Sequence, residues 1–272
     1  MTNRKKQNIA LYLSLFSAIV LILLALFAGN LAPHDPIAPN YDRMLEAPSS
    51  EFLLGTDQLG RDLFSRLLHG GKTSLMIAIM VTMIVSTTGI ILGLIAGYFG
   101  SFVDTIIMRI ADVLMAFPGT VLILAIISVL GTGLPNLILA MTFSGWTSYA
   151  RVSRSMVLSL KNATYIEQAR LGGASTFKIL TTYLLPNIVP SLLVLISQDI
   201  GNKLLAIAGL SLLGLGSQPP TPEWGFMLSE GKDYMHSAPW LLYAPGMVVL
   251  INVIVFNLLG DCLRDRFDPQ ST

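Results

Sequence analysis

The chain has 272 residues, of which 53% are hydrophobic and only 12% charged, with a formal net charge of +1. A soluble domain carries about twice that charged fraction, and long apolar runs rather than short alternating ones exclude a β-barrel. The near-zero charge offers no electrostatic basis for nucleic-acid binding, and the single cysteine, Cys262, excludes an intrachain disulfide.

Arg4, Lys5 and Lys6 precede an apolar run from Ile9 to Ala28. At about 20 residues it is long enough to cross a bilayer and longer than a usual signal-peptide core. It reads as an uncleaved first span. Residues 30–72 are polar and proline-containing and are expected on the far side of the membrane, with an amphipathic helix over Leu63–His69. The run Gly71-Lys72-Thr73 imitates the end of a phosphate-binding loop, but Arg66 stands where that motif needs its first glycine. Leu75–Phe99 reads as a second span. Its Gly89, Gly93 and Gly97 form a small-residue stripe suited to close helix packing, within the chain or against another subunit. Arg109 and Asp112 stand at a spacing that lets them pair on one helix. Val113–Leu130 reads as a third span kinked near Pro118, and Leu137–Ala150 as a fourth ending at Arg151 and Arg154.

A polar segment follows, Tyr165–Ser175, flanked by Arg151, Arg154, Lys161, Arg170 and Lys178, which places it on the cytoplasmic side. Ile166, Ala169 and Gly173 fall on one helical stripe of small or apolar residues. Glu167 offers a carboxylate to a basic partner, and Gly172 and Gly173 permit a sharp turn. A fifth span, Ile188–Leu215, is interrupted by Pro190 and carries Asp199 and Lys203 one turn apart. These either neutralise each other or line a wet path, since ionisable groups at membrane depth face bundle interiors or cavities. Ser217–Pro239 reads as an outer loop with a short helix reaching Tyr234, and Trp224, Tyr234 and Trp240 suit a membrane interface. Leu241–Leu259 completes a sixth span. Lys and Arg are richer in the segments assigned to the cytoplasm, so both termini are expected there. His34, His69 and His236 lack metal-ligand spacing, and no nucleophile–base arrangement is readable.

Several stretches resemble one family, the ABC importer permeases for dipeptides, oligopeptides and nickel. Glu167, Ala169, Gly173, Leu185 and Pro186 match its EAA motif, with Gln168 and Tyr183 as departures. Leu54–Asp62 is similar to its GTDxxGRD signature, 219–225 to its PPTPEWG stretch, and 257–265 to its ending. Glycines with Asp57, Arg61 and Asp62 suit turns locked by charged hydrogen bonds.

The resemblance implies an all-α integral membrane protein with six transmembrane helices, in the type I ABC importer permease fold. Residues 1–72 would be the first span and extracytoplasmic segment, 73–262 the transmembrane core, and 263–272 a cytoplasmic tail. Ile166, Glu167, Ala169, Arg170 and Gly173 would form a cytoplasmic coupling helix that docks on an ATPase. Asp199 and Lys203 are candidates for the translocation path. The implied partners are a second permease, two ATPase subunits, an extracytoplasmic solute-binding protein and membrane lipid, in a bacterial cytoplasmic membrane. ATP and Mg would sit on the ATPases, with no cofactor, catalytic or metal site in this chain. Val129–Leu134 and the Asp199-Ile200-Gly201 step lean toward nickel or a metal chelate. Lys203 would repel a bare cation, and peptides stay open as solutes. An ATP-independent secondary transporter is the rival class, although no internal repeat accompanies the broken fifth span.

Overall fold

The computed structural model describes the backbone of residues 2–267 and side chains from Asn8 to Phe267. The basic run Arg4–Lys6 and the tail from residue 268 lie outside the described side chains. The chain is helical almost throughout, in the order α1 (Thr2–Leu26), α2 (Ala28–Leu31), α3 (Leu63–Phe99), α4 (Ser101–Met115), α5 (Gly119–Leu130), α6 (Leu134–Leu160), α7 (Thr164–Leu171), α8 (Thr176–Lys178), a π-helical turn (Ile179–Leu184), α9 (Leu185–Leu212), α10 (Trp224–Gly231) and α11 (Trp240–Phe267).

The 37-residue α3 is the mast of the bundle. It packs most extensively on α6 and also touches α1, α4, α9 and α10, while α9 lies along α11. Asp62 starts α3 by accepting a hydrogen bond from the Ser65 amide at 2.9 Å, as N-cap aspartates do. The amphipathic helix at Leu63–His69 and the second span expected from sequence are therefore one continuous helix. Gly70 and Gly71 lie inside it, and their missing side chains leave room for the Trp224 indole. A Cβ at Gly71 would stand 2.8 Å from Trp224 Cζ2. Trp224 is thus buried, with Nε1 donating to the Leu67 carbonyl at 2.9 Å, and is not the interfacial residue its amphipathic character suggested.

The glycine stripe resolves to packing within the chain. Gly89, Gly93 and Gly97 face Tyr149, Ser153 and Val157 of α6 at distances that leave no room for a side chain, so the two backbones meet directly. Arg154 and Asp104 then tie α6 to α4, with Nη2 to Oδ2 at 2.6 Å. Asp112 pairs with Arg151 at 2.7 Å, not with Arg109, because α6 delivers a guanidinium from across the bundle. The kink expected near Pro118 is an 85° bend between α4 and α5. Proline disfavours a helical residue before it and cannot donate an amide. Pro190, by contrast, sits inside a continuous α9. The adjustment falls upstream, in the π-helical turn, where the Asn187 amide side chain donates to the Tyr183 carbonyl at 2.6 Å. Pro186 stands in the first turn of α9, where its missing amide costs least.

Among the described residues, four helical stretches are long and apolar enough to cross a membrane: Asn8–Leu26, Leu63–Phe99, Thr176–Leu212 and Trp240–Phe267. The bent α4–α5 pair makes a fifth if it counts as one span. Helix α6 has 27 residues, about 40 Å of helix, but its serines, threonines and two arginines make it too polar for the same composition standard. Against the six spans expected from sequence, the described residues hold four or five apolar ones.

Candidate functional site

Helix α7 is anchored by one side chain. Ile166 is fully buried among Leu94, Val157, Ile179, Leu184, Ile188 and Leu192. The small-residue stripe through Ile166 and Ala169 therefore faces this chain, and the presented surface is the other one. Glu167, Gln168 and Arg170 are exposed, and Arg170 lies 5.9 Å from the Tyr98 ring centroid. Leu171 is 90% and Phe177 76% exposed. Neither is among the docking residues expected from sequence; the available signal was an isolated large apolar residue on either side of a glycine pair.

The turn after α7 is a Schellman closure. The Ala174 amide donates to the Ala169 carbonyl and the Gly173 amide to the Arg170 carbonyl, each at 3.0 Å. Gly173 has φ +80°, whereas Gly172 is at −73°. The first position suits glycine, while the second has a backbone angle open to any residue. Ser175 then caps α8, accepting from the Lys178 amide at 3.3 Å.

Asp199 and Lys203 form an ion pair along α9, Nζ to Oδ1 at 3.4 Å, each side chain about one-fifth exposed (20% and 19%). The pair faces a cavity of about 420 Å³ that Thr120, Ser144, Thr147 and Tyr149 also line. Tyr149 of α6 donates its hydroxyl to Asp199 Oδ2 at 3.2 Å. The charges neutralise each other, and the same pair lines a polar space. Tyr149 was invisible from sequence because it stands 50 residues away. Only the close α3–α6 approach at Gly89 positions it.

A second charged cluster lies at the opposite end of the bundle from α7. Asp57 receives Arg61 Nε at 2.6 Å, and Arg66 as well; both arginines reach Glu230 of α10, at 3.0 and 2.7 Å. Asp57, Arg61 and Arg66 are nearly inaccessible, at 1%, 3% and 1%. Asp57 and Arg61 were expected to lock this turn, and they do. Asp62 instead caps α3, with His34 Nδ1 3.5 Å away. Arg66 and Glu230 were not singled out, since only the fold joins positions 164 residues apart. Glu223, also fully buried, accepts from the Gly225 and Phe226 amides at the start of α10 and from Ser74 Oγ at 3.0 Å.

This arrangement, a polar cavity inside an apolar bundle and an exposed helix on a buried anchor, suits transport rather than bond-making chemistry. The family model of the binding-protein-dependent transport system inner membrane component matches residues 89–272. The chain belongs to that family. Peptide, glutathione and nickel permeases align with more than nine-tenths of the chain. A glutathione transport system permease protein GsiD from Pectobacterium atrosepticum is 44% identical, covering 97% of this chain and 88% of its own length. The nickel transport system permease protein NikC of Escherichia coli K12 is 41% identical over 95% of this chain and 93% of its own. The di/tripeptide permease DppC of Pseudomonas aeruginosa is 40% identical over 93% and 85%. Among solved structures, a chain of the MetNI methionine ABC transporter shares the fold at TM-score 0.52 and 18% identity, covering 72% of this chain and 95% of that one. This permease is a transport subunit and not an enzyme; in ABC importers the partner ATPases hydrolyse ATP.

Proposed function

We propose that this chain is one of two permeases in an ATP-driven importer of a bacterial cytoplasmic membrane, crossing it six times with α6 as the polar span and both termini cytoplasmic. A second, different permease completes the pathway. Two ATPase subunits with ATP and Mg dock at the α7 end, and an extracytoplasmic solute-binding protein delivers solute at the α10 end. The observation that carries this reading is α7 itself, fixed by Ile166 below and presenting Glu167, Gln168, Arg170 and Leu171 above. Closure of the ATPases moves α7, and α7 moves α9 through the Ile166 cluster, biasing a two-state bundle.

Glu167→Lys tests it. The side chain is exposed, so the folding cost is small, and the reversed charge opposes a basic groove. The expected result is a wild-type amount of folded permease with lost ATPase co-purification and lost uptake. Normal co-purification and uptake would count against docking through this face.

The solute is a small polar one that carries both charge signs, as a nickel chelate or a peptide does. Asp199 is already neutralised by Lys203, which leaves no net negative field for a bare cation. The names of the relatives, nickel and glutathione among them, span both choices. In the double variant Asp199→Asn with Lys203→Met, a matched replacement of a buried pair preserves folding. Uptake is expected to fall about tenfold or more, or to change its solute preference, since one charged hydrogen bond alone is worth about that factor. Unchanged uptake and selectivity in a well-folded double variant would remove the pair from the path.

A further inference from the structure

Three spaces lie end to end between α6 and α9. The cavity at Lys203 shares Ser148, Tyr149 and Asp199 with a second one of about 170 Å³. That second space shares Val152, Leu195 and Gln198 with a third of about 500 Å³, whose far wall carries Arg264 and Phe267 at the end of α11. The groove thus runs from mid-bundle to the α7 end. Tyr149 stands at the junction of the first two spaces. Its backbone is held against α3, where a Cβ at Gly89 would meet Tyr149 Cβ at 2.5 Å, and it is 5% exposed. Its hydroxyl on Asp199 is the only side-chain hydrogen bond joining α6 to α9 among the described residues. Helix α6 is otherwise tied to α4 through Arg151 and Arg154, and α9 to α11 through Gln198 and Asp261 at 2.9 Å.

We propose that the Tyr149–Asp199 contact is the gate of this groove. It closes the mid-bundle cavity from the α7 end, and it opens when α9 moves away from α6. The proposal rests on reading the groove as the solute route. The physical basis is that one side-chain bridge crosses the seam between α6 and α9, two helices that meet little directly and both rest on α3. One hydrogen bond to a carboxylate, made or broken, shifts such a seam by about tenfold or more. Tyr149 here is a positioning residue: it sets which space is continuous with which, and the solute's chemistry is left to Asp199 and Lys203.

The test uses the complete importer in membrane vesicles, with Cys262→Ser removing the native thiol. Thr120→Cys reports on the mid-bundle cavity and Asn202→Cys on the second space. A membrane-impermeant cationic thiosulfonate is added without nucleotide to right-side-out and to inverted vesicles. With Tyr149 intact, Asn202→Cys is expected to react from the α7 end and Thr120→Cys to be protected from that end. Tyr149→Phe keeps the ring and its packing and removes only the bridge. It is expected to speed labelling of Thr120→Cys from the α7 end roughly tenfold or more. Tyr149→Ala extends the effect where it accumulates in the membrane. Rapid labelling of Thr120→Cys with Tyr149 intact, or equally slow labelling in the Phe variant while Asn202→Cys reacts, overturns the gate and leaves the route. Protection of Asn202→Cys from both faces overturns the route itself, and the gate with it.

Discussion

Asp57→Ala is expected to cost about 3–5 kcal/mol and to leave little folded permease, because it strands two guanidinium groups with almost no access to water. Arg61 and Arg66 are 3% and 1% exposed, and Asp57 is the carboxylate they share. Glu230 still faces both, but one carboxylate cannot satisfy two buried arginines as two did. Asp57 also accepts from the backbone amides of Leu59 and Arg61, at 2.8 and 3.0 Å. Its loss therefore unpicks the turn as well as the ion cluster. Thermal unfolding of detergent-solubilised protein, with the membrane yield, measures the effect. The matched comparison is Arg43→Ala. Its pairs with Glu46 and Glu51 are open to water, and it is expected to behave like the wild type. Equal behaviour of the two variants would show that the buried cluster contributes no more than a surface pair.

Gly93→Val is expected to have a comparable effect through geometry rather than charge. A Cβ at 93 would stand 2.7 Å from Ser153 Cβ and 3.0 Å from the Arg154 amide, and would also meet the Ala150 carbonyl oxygen. These neighbours are mostly backbone, which cannot rotate away, so α3 and α6 must separate. Overpacking a tight core costs about 1–3 kcal/mol; a branched residue against backbone belongs at the upper end. Separation also draws Arg154 from Asp104 and Tyr149 from Asp199, so uptake should be lost even where protein accumulates. Gly209 of α9 has nothing within 4 Å of its would-be Cβ, and Gly209→Ala is expected to be tolerated, since alanine is the better helix former. Melting temperature and uptake for the two variants separate crowding from a general dislike of glycine replacement. A stable, active Gly93→Val would show that α6 does not rest on α3 through this stripe.

Much of the architecture was legible because its causes are local. Runs of apolar residues long enough for a bilayer announce themselves, and Pro118 marks a bend wherever its neighbours lie. The i, i+4 spacing of Asp199 and Lys203 puts both on one face of any helix, and the Gly172-Gly173 pair after a short polar helix signals its end. The family motifs added what no local rule supplies, the expectation that α7 docks on an ATPase.

Errors arose where the local rule met a distant partner. Trp224 reads as interfacial until Gly70 and Gly71 offer it a flat surface to cover. Arg109 and Asp112 are suitably spaced, yet Asp112 takes Arg151 from another helix. Ile166 fits an apolar groove on a partner, and its own chain supplies the groove first. Leu171 and Phe177 remain to face outward. The sequence by itself determined the membrane setting, the helical class, the breaks and the charge pair within α9, since hydropathy, helix period and proline and glycine stereochemistry act over a few residues. Only the tertiary structure decided which helices touch, and with that the Asp57–Arg61–Arg66–Glu230 cluster and the Tyr149 bridge. Tyr149 lies 50 residues from Asp199, and Glu230 lies 164 and 169 residues from Arg66 and Arg61, and a contact at that separation exists only after α3, α6, α9 and α10 have packed.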